Sequence, residues 1–170
     1  FDIVLHLGSL IAVLIFFRKD LVKMLKSFNN NDKYSRKLFF LIVIATIVTG
    51  VLGLMFESYI EPLFSSLIFA GISLIVTGIL LYITKFTTNN TRDINAKDAI
   101  LIGIAQAVSL IPAISRSAST ISVALLSGIK KEEAAKFSFL IFIPAVLGSF
   151  ILKLSDISKS DINTFLYGIG

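Results

Sequence analysis

Long apolar runs alternate with short polar segments along the whole chain. Four runs have the length and character of membrane spans, because about 20 apolar residues cross a bilayer as a helix. They are residues 3–17, 38–56, 63–83 and 137–154. Five polar segments, which we predict to be loops, separate or follow the apolar runs of the chain: 18–37, 57–62, 85–98, 127–136 and 155–161. The pattern therefore predicts an all-α, polytopic bundle of membrane helices.

A fifth apolar segment, residues 99–126, is interrupted by a proline. Pro112 removes a backbone donor and disfavours helical geometry at the residue before it, so we predict two half-helices. We expect Asp98 to cap the first half-helix, which would start at Ala99. The second would begin near residues 115–117, with a serine as its N-cap. Irregular backbone at membrane depth is tolerated where it lines a cavity or is buried in protein, which suggests a site.

The charged residues predict how the chain crosses the membrane. Segment 18–37 holds seven basic and two acidic residues, whereas 57–62 holds no basic residue. The positive-inside rule therefore places 18–37, and next 85–98, on the cytoplasmic side. Three lysines in 127–136 favour the same side. That arrangement requires 99–126 to enter the membrane and return, so we predict a re-entrant, broken-helix segment.

Composition agrees with this class of protein. Apolar residues make up 55% of the chain and charged residues 16%, and the mean hydropathy is +0.88. These values are typical of an integral membrane protein. No cysteine is present, which excludes disulfides and thiolate metal sites. The net charge of +5 lies in the predicted loops, so it indicates topology and gives no reason to expect a nucleic-acid partner. We predict one membrane domain over residues 1–170, and expect it to be an internal fragment of a longer chain.

Residues 112–120 combine the helix break with an arginine and four hydroxyl side chains. Arg116 is the single charge within 99–126, and inserting an arginine at membrane depth costs about 3 kcal/mol, so it marks a functional site by default. Its planar fork, hydroxyl donors and the start of a helix together suit a phosphate or another anion. The alternative is an arginine paired with an acid elsewhere and hydroxyls bonded to helix carbonyls. The candidate anion-binding residues are Ser115, Arg116, Ser117 and Thr120.

These residues resemble a known family. Pro-Ala-Ile-Ser-Arg-Ser-Ala-Ser-Thr at 112–120 is similar to the proline-glycine-x-serine-arginine-serine-x-x-threonine motif of the undecaprenyl-pyrophosphate phosphatase (bacitracin-resistance) family. Stretches within 1–13, 98–107 and 137–148 resemble the same family in the same order.

The chain departs from the family pattern in two places. Ala113 stands where the family usually has glycine, which restricts the turn but should not abolish function. The family's first motif, with paired glutamates and a histidine, would precede Phe1 and has no counterpart here. His6 falls after that motif, so we do not expect it to replace the histidine.

The resemblance implies a fold and a reaction. The fold would be an inverted repeat in which two re-entrant segments meet in a cavity open to the external face of the cell membrane. The reaction would be hydrolysis of undecaprenyl pyrophosphate to the monophosphate carrier lipid of cell-wall synthesis, with associated bacitracin resistance. A transporter that binds a polyprenyl phosphate or another anion at the same site, without hydrolysis, is the alternative.

The resemblance also implies residue roles and a cofactor. Arg116 and Ser115 would be catalytic, and both would bind the pyrophosphate together with Ser117 and Thr120. A divalent cation, Mg²⁺ or Ca²⁺, would be bound mainly by the glutamates of the first motif. We therefore expect these 170 residues alone to be inactive. A homodimer is an open alternative for the assembly.

Overall fold

The computed structural model describes the backbone of residues 2–28, 32–87 and 90–167, and the side chains of 8–28, 32–60, 62–87 and 90–151. Seven α-helices account for most of these residues. They are α1 (Asp2–Phe16), α2 (Arg18–Lys26), α3 (Lys33–Ile60), α4 (Leu67–Thr84), α5 (Ala96–Val108), α6 (Arg116–Leu126) and α7 (Lys131–Tyr167). A 3₁₀ turn, Glu61–Ser65, joins α3 to α4. The described ranges contain no β-strand, so the all-α prediction is confirmed.

Three helices of the described residues are long and apolar enough to cross a membrane. They are Lys33–Ile60, Leu67–Thr84 and Lys131–Ile151. They contain most of the predicted spans 38–56, 63–83 and 137–154. The predicted span 3–17 is helical as α1, but its 15 residues extend for only about 22 Å, less than the hydrocarbon thickness of about 30 Å.

Three segments predicted as loops are helical instead. Within 18–37, residues 18–26 form α2, because Leu21 and Met24 recur at helical spacing and Met24 is buried. Segment 57–62 comprises the end of α3 and the start of the 3₁₀ turn. Residues 155–161 continue α7, and they contain neither proline nor glycine to end it. These three predictions were wrong because polar composition does not by itself stop a helix.

The segment predicted to be re-entrant forms a helical hairpin of α5 and α6. The segments that flank the two helices, before α5 and after α6, are hydrogen-bonded to each other. Arg92 N donates to Gly128 O and Lys130 N donates to Arg92 O, both at 3.1 Å. Asn90 Nδ2 also donates to Leu125 O at 3.0 Å. The helices hold 13 and 11 residues, about 20 and 16 Å of rise, or about half of a bilayer each. The two ends of the segment thus lie side by side, as the re-entrant prediction requires.

The break in this hairpin lies where the proline predicted it. The first helix ends at Val108 and the second begins at Arg116, with Ser115 as its N-cap. The Oγ atom of Ser115 accepts a hydrogen bond from Ala118 N at 3.3 Å. The predicted serine cap is therefore confirmed, because this bond satisfies one of the free donors at the helix start.

The start of the first half-helix differs from the prediction. It begins at Ala96, with Asn95 as the N-cap, and not at Ala99. Asp98 takes the third helical position and its Oδ2 accepts from Asn95 N at 2.9 Å, while Asn95 Oδ1 accepts from Asp98 N at 3.1 Å. This reciprocal pair is a capping box.

Gly103 allows the hairpin to pack closely against α3, because it has no side chain. A Cβ atom added to Gly103 of α5 would lie 2.8 Å from Ala45 O of α3, so the two backbones are in close contact. Thr49 Oγ1 lies 2.9 Å from both Gly103 O and Ala45 O. On the other side, α6 packs between α4 and α7. The hairpin is therefore enclosed by the three long helices.

Candidate functional site

Arg116 is the first residue of α6 and lies at the helix break. Among the described residues its buried Nη1 atom has no hydrogen-bond partner, and its Cζ lies 5.4 Å from the centroid of the Phe142 ring on α7. Among the described side chains, no carboxylate forms an ion pair with it. A partly buried cation without an acid partner loses hydration, and a cation–π contact offsets about 1 to 2 kcal/mol of that cost. An anion bound at the break would supply the missing charge.

The start of α6 offers donors beside this cation. The first N–H groups of a helix have no partner inside it, and the Ser115 cap occupies that of Ala118, leaving those of Arg116 and Ser117 for a ligand. The hydroxyls of Ser115 and Ser117 are 3.5 Å apart. Because the cap uses a lone pair of Ser115 Oγ, its proton is still available to donate. The structure thus brings the hydroxyls of Ser115 and Ser117 together, and Arg116 lies between them in the first turn of α6.

Thr120 lies one turn further along α6 and is only 1% exposed. Its Oγ1 donates to Arg116 O at 3.0 Å, and Ser119 Oγ donates to Ser115 O at the same distance. These two hydroxyls bond to carbonyls at the start of α6, as in the alternative in which the hydroxyls do not serve an anion site. A direct substrate contact from Thr120 stays a prediction, and so do the roles of the other three candidates.

The turn between Pro112 and Ser115 has a strained residue. Ala113 adopts φ = 64°, in the left-handed region that glycine occupies freely and alanine does not. The turn is closed by Ile114 N, which donates to Ile111 O at 3.2 Å. The structure therefore gives a reason for glycine at the corresponding position of the motif, and for the reduced freedom of this chain.

Hydrogen bonds at both ends of the hairpin fix the position of the break. Ser115 N donates to Thr77 Oγ1 of α4 at 3.3 Å, which attaches the break to a membrane-spanning helix. At the other end, Arg92 holds Asp98 with two hydrogen bonds of 2.8 and 2.9 Å and Ser127 O with a third of 2.6 Å. The hydrogen bond to Asp98 raises the pKa of Arg92. The site is thus anchored at both ends of the hairpin.

Gln106 is a buried polar residue that the sequence reasoning did not single out. It is 1% exposed, its Nε2 donates to Ile141 O at 3.4 Å, and its Oε1 has no partner in the part of the chain that the structure describes. Pro144 weakens the hydrogen-bond ladder of α7 in this region, which suits a side-chain donor there. Gln106 and Arg116 therefore contact adjacent residues of α7. A glutamine inside an apolar run was the signal that could have indicated it.

A family model described as "Bacitracin resistance protein BacA" matches residues 1–169. The chain belongs to this family. The resemblance predicted from the motif at 112–120 is therefore confirmed. Together with three apolar helices of spanning length, membership of the BacA family makes this a membrane protein.

Curated relatives extend the comparison. An undecaprenyl-diphosphatase of Methanobrevibacter smithii is 40% identical over 176 residues, which cover 92% of this chain and 63% of that protein. Undecaprenyl-diphosphatase 2 of Bacillus thuringiensis is 41% identical over 168 residues, covering 94% and 62%. Undecaprenyl-diphosphatase 1 of Shouchella clausii is 36% identical over 173 residues, covering 95% and 62%. The chain spans less than two thirds of the length of these BacA-family relatives.

The described part of this BacA-family chain does not by itself fit a divalent cation. No group of three or more histidine, cysteine, aspartate or glutamate side chains lies close enough together in it to hold a metal ion. The helix break presents a cation and hydroxyls, which suit an anion and not a metal. The side chain of His6 lies outside the described residues.

Proposed function

We propose that the protein hydrolyses undecaprenyl pyrophosphate to undecaprenyl phosphate, the lipid carrier of cell-wall synthesis, and so contributes to bacitracin resistance. One observation carries the proposal: Arg116, at the first position of α6, is partly buried, and its buried Nη1 has no hydrogen-bond partner among the described residues. The motif around it is the one that the chain shares with the BacA family, and relatives of that family are named undecaprenyl-diphosphatases.

In this proposal Arg116 binds the pyrophosphate with its planar fork. The N–H groups at the start of α6 bind other phosphate oxygens, helped by the positive end of the helix dipole. Arg116 is also catalytic, because charge develops on the phosphoryl oxygens as the bond to the leaving phosphate breaks, and a fixed cation stabilises that charge.

The serines and the threonine have separate parts. Ser115 is catalytic in that its hydroxyl proton donates to a phosphate oxygen at the reacting centre, while its oxygen caps α6. Ser117, exposed beside it, binds the same phosphate group. Thr120 acts through the carbonyl of Arg116, to which its hydroxyl is bonded, and so orients the first turn of α6.

The position of the break suggests where the reaction occurs. Since the hairpin enters from the side that carries the basic loops, its break lies deeper, toward the external face of the cell membrane. The prenyl tail would lie along apolar side chains that α4 exposes within one turn of Thr77, such as Leu74 and Leu81. The active site opening to the external face is part of the proposal.

A divalent cation, Mg²⁺ or Ca²⁺, is proposed as the cofactor. When bound, it would neutralise phosphate charge. The glutamates expected to hold it belong to the family's first motif, so the test requires the full-length protein. The homodimer stays a prediction.

The test is phosphate release from a long-chain prenyl pyrophosphate by the full-length protein in detergent, with and without magnesium. We expect magnesium-dependent release that falls at least about 100-fold in Arg116→Ala, the size of effect seen when a transition-state donor is removed. Arg36→Ala, an arginine at the start of α3 outside the break, is the matched control and should retain the rate. A folded protein that binds the lipid and releases no phosphate would contradict hydrolysis and favour the transporter alternative.

A further inference from the structure

Helix α2 follows α1 after a single residue and differs from every helix around it. Its nine residues, Arg18–Lys26, contain five charged side chains, whereas its neighbour α1 is almost wholly apolar. It lies in segment 18–37, which the charge pattern assigns to the cytoplasmic side. An amphipathic helix at this boundary faces the protein, the lipid and water at once.

One face of α2 is fixed to the protein. Met24 is 5% exposed and belongs to the hydrophobic core. Asp20, the one acid on this helix, accepts a hydrogen bond from Lys136 Nζ of α7 at 2.5 Å. Ser27, just after the helix, is fully buried and donates to Met24 O at 2.6 Å. These contacts hold the helix in one orientation, so its other faces are defined.

A second face of α2 is apolar and uncovered. Val22 is 48% exposed, Leu25 is 70% exposed and Phe28 is 54% exposed. The ring of Phe28 is held in place by the ring of Phe39, with centroids 5.2 Å apart. Large apolar side chains exposed next to a membrane-spanning bundle match acyl chains better than they match water.

The third face of α2 carries cations without acid partners. Lys19, Lys23 and Lys26 are exposed on this face, and Arg18 is exposed at the start of the helix, between Val22 and Leu25. Within the described residues none of the four forms an ion pair with a carboxylate. The remaining acid of the segment, Asp32, accepts from Ser35 Oγ at 2.6 Å and from two backbone N–H groups at the start of α3. The positive charge of α2 is therefore available to an outside anion.

We propose that α2 binds the headgroups of anionic phospholipids in the cytoplasmic leaflet through Lys19, Lys23 and Lys26, with Val22 and Leu25 among the acyl chains. The charge of the headgroup complements the cations, and the apolar side chains lie beside them on the same short helix. A nucleic acid would match the cations and leave the apolar face unexplained. This surface is separate from the helix break and does not depend on the proposed hydrolysis.

The experiment compares phosphatidylglycerol with phosphatidylcholine of identical acyl chains. Each lipid, labelled on its acyl chain, is titrated with the full-length protein in a neutral detergent, and binding is followed by fluorescence anisotropy. We expect phosphatidylglycerol to bind at least about tenfold more tightly, and this preference to decrease as ionic strength rises.

Two triple variants with the same charge change separate this surface from net charge. In Lys19→Gln/Lys23→Gln/Lys26→Gln, the ratio of phosphatidylglycerol affinity to phosphatidylcholine affinity should fall by about tenfold or more. The control, Lys85→Gln/Lys97→Gln/Lys131→Gln, removes three exposed lysines elsewhere on the cytoplasmic side and should keep it. Equal binding of the two lipids by the parent, or equal loss in both triple variants, would overturn the proposal. The salt dependence of the parent decides the matter if a variant does not fold.

Discussion

The cation of Arg116 lies 5.4 Å from the centroid of the Phe142 ring, and yet its buried Nη1 has no hydrogen-bond partner among the described residues. The ring stabilises the charge without using any of the five N–H donors of the guanidinium. Under the proposed function, these donors would bind the diphosphate, and the contact with the ring would lower the entropy lost on binding.

The two tasks assigned to Ser115 can be separated by substitution. Ser115→Ala removes the cap of α6 and should lower stability by about 1 kcal/mol. Ser115→Asp keeps a capping oxygen and places a negative charge where the pyrophosphate would bind. We therefore expect Ser115→Asp to unfold at nearly the parental temperature and to release no phosphate. If it hydrolyses the lipid at the parental rate, the anion does not bind beside Ser115.

Ala113→Gly should stabilise the protein. The φ of 64° strains an alanine and not a glycine, and this strain lowers the free energy of unfolding by about 1 kcal/mol. Ala113→Val should be less stable than the parent, since a β-branched side chain fits this region worst. Thermal unfolding in detergent gives the order, and a glycine variant that melts below the parent would show that the turn is not strained at this residue.

Gly103→Ala should separate α3 from α5. Its Cβ would meet Ala45 O at 2.8 Å, so the helices must shift, at about 1 to 3 kcal/mol of stability. Gly78→Ala in α4 is the matched control, because nothing lies within 4 Å of its added Cβ and alanine favours a helix. Unfolding temperatures should fall for the first variant and hold or rise for the second. The close contact would be refuted if both variants melted alike.

Asp98→Ala should weaken the base of the hairpin. This carboxylate is 3% exposed and accepts two hydrogen bonds from Arg92 and one from Asn95 N, so we expect a loss of about 2 kcal/mol. Asp93→Ala, which removes an exposed ion pair with Lys130, is the control and should leave the unfolding temperature unchanged. A smaller effect from Asp98 than from Asp93 would contradict the assigned anchor.

Much of this architecture could be predicted from local signals. Helices α3, α4 and α7 follow from apolar runs of spanning length. The break follows from Pro112 and the start of α6 from Ser115, because helix breakers and caps act within a few residues. The return of the hairpin to its own side followed from lysines in the turn after it.

Other features depend on contacts between distant parts of the chain. The polar composition of residues 18–26 did not predict helix α2, because the helix depends on burial of Met24 and on the hydrogen bond that Asp20 accepts from Lys136, 116 residues further along the chain. Asn95 and Asp98 are both cap-forming residue types, and the partnership of Asp98 with Arg92 was not visible in their spacing. The ring beneath Arg116 and the free oxygen of Gln106 are likewise products of packing against α7.

The central claim is that Arg116 binds the diphosphate at the break, and binding tests it without requiring turnover. A prenyl diphosphonate, whose bridging oxygen is replaced by a methylene group, is titrated into the full-length protein with magnesium present, beside Arg116→Lys and Arg116→Ala. We predict that affinity falls about tenfold in Arg116→Lys, which loses the fork, and at least about 100-fold in Arg116→Ala. Folded variants that bind the diphosphonate as tightly as the parent would contradict the claim.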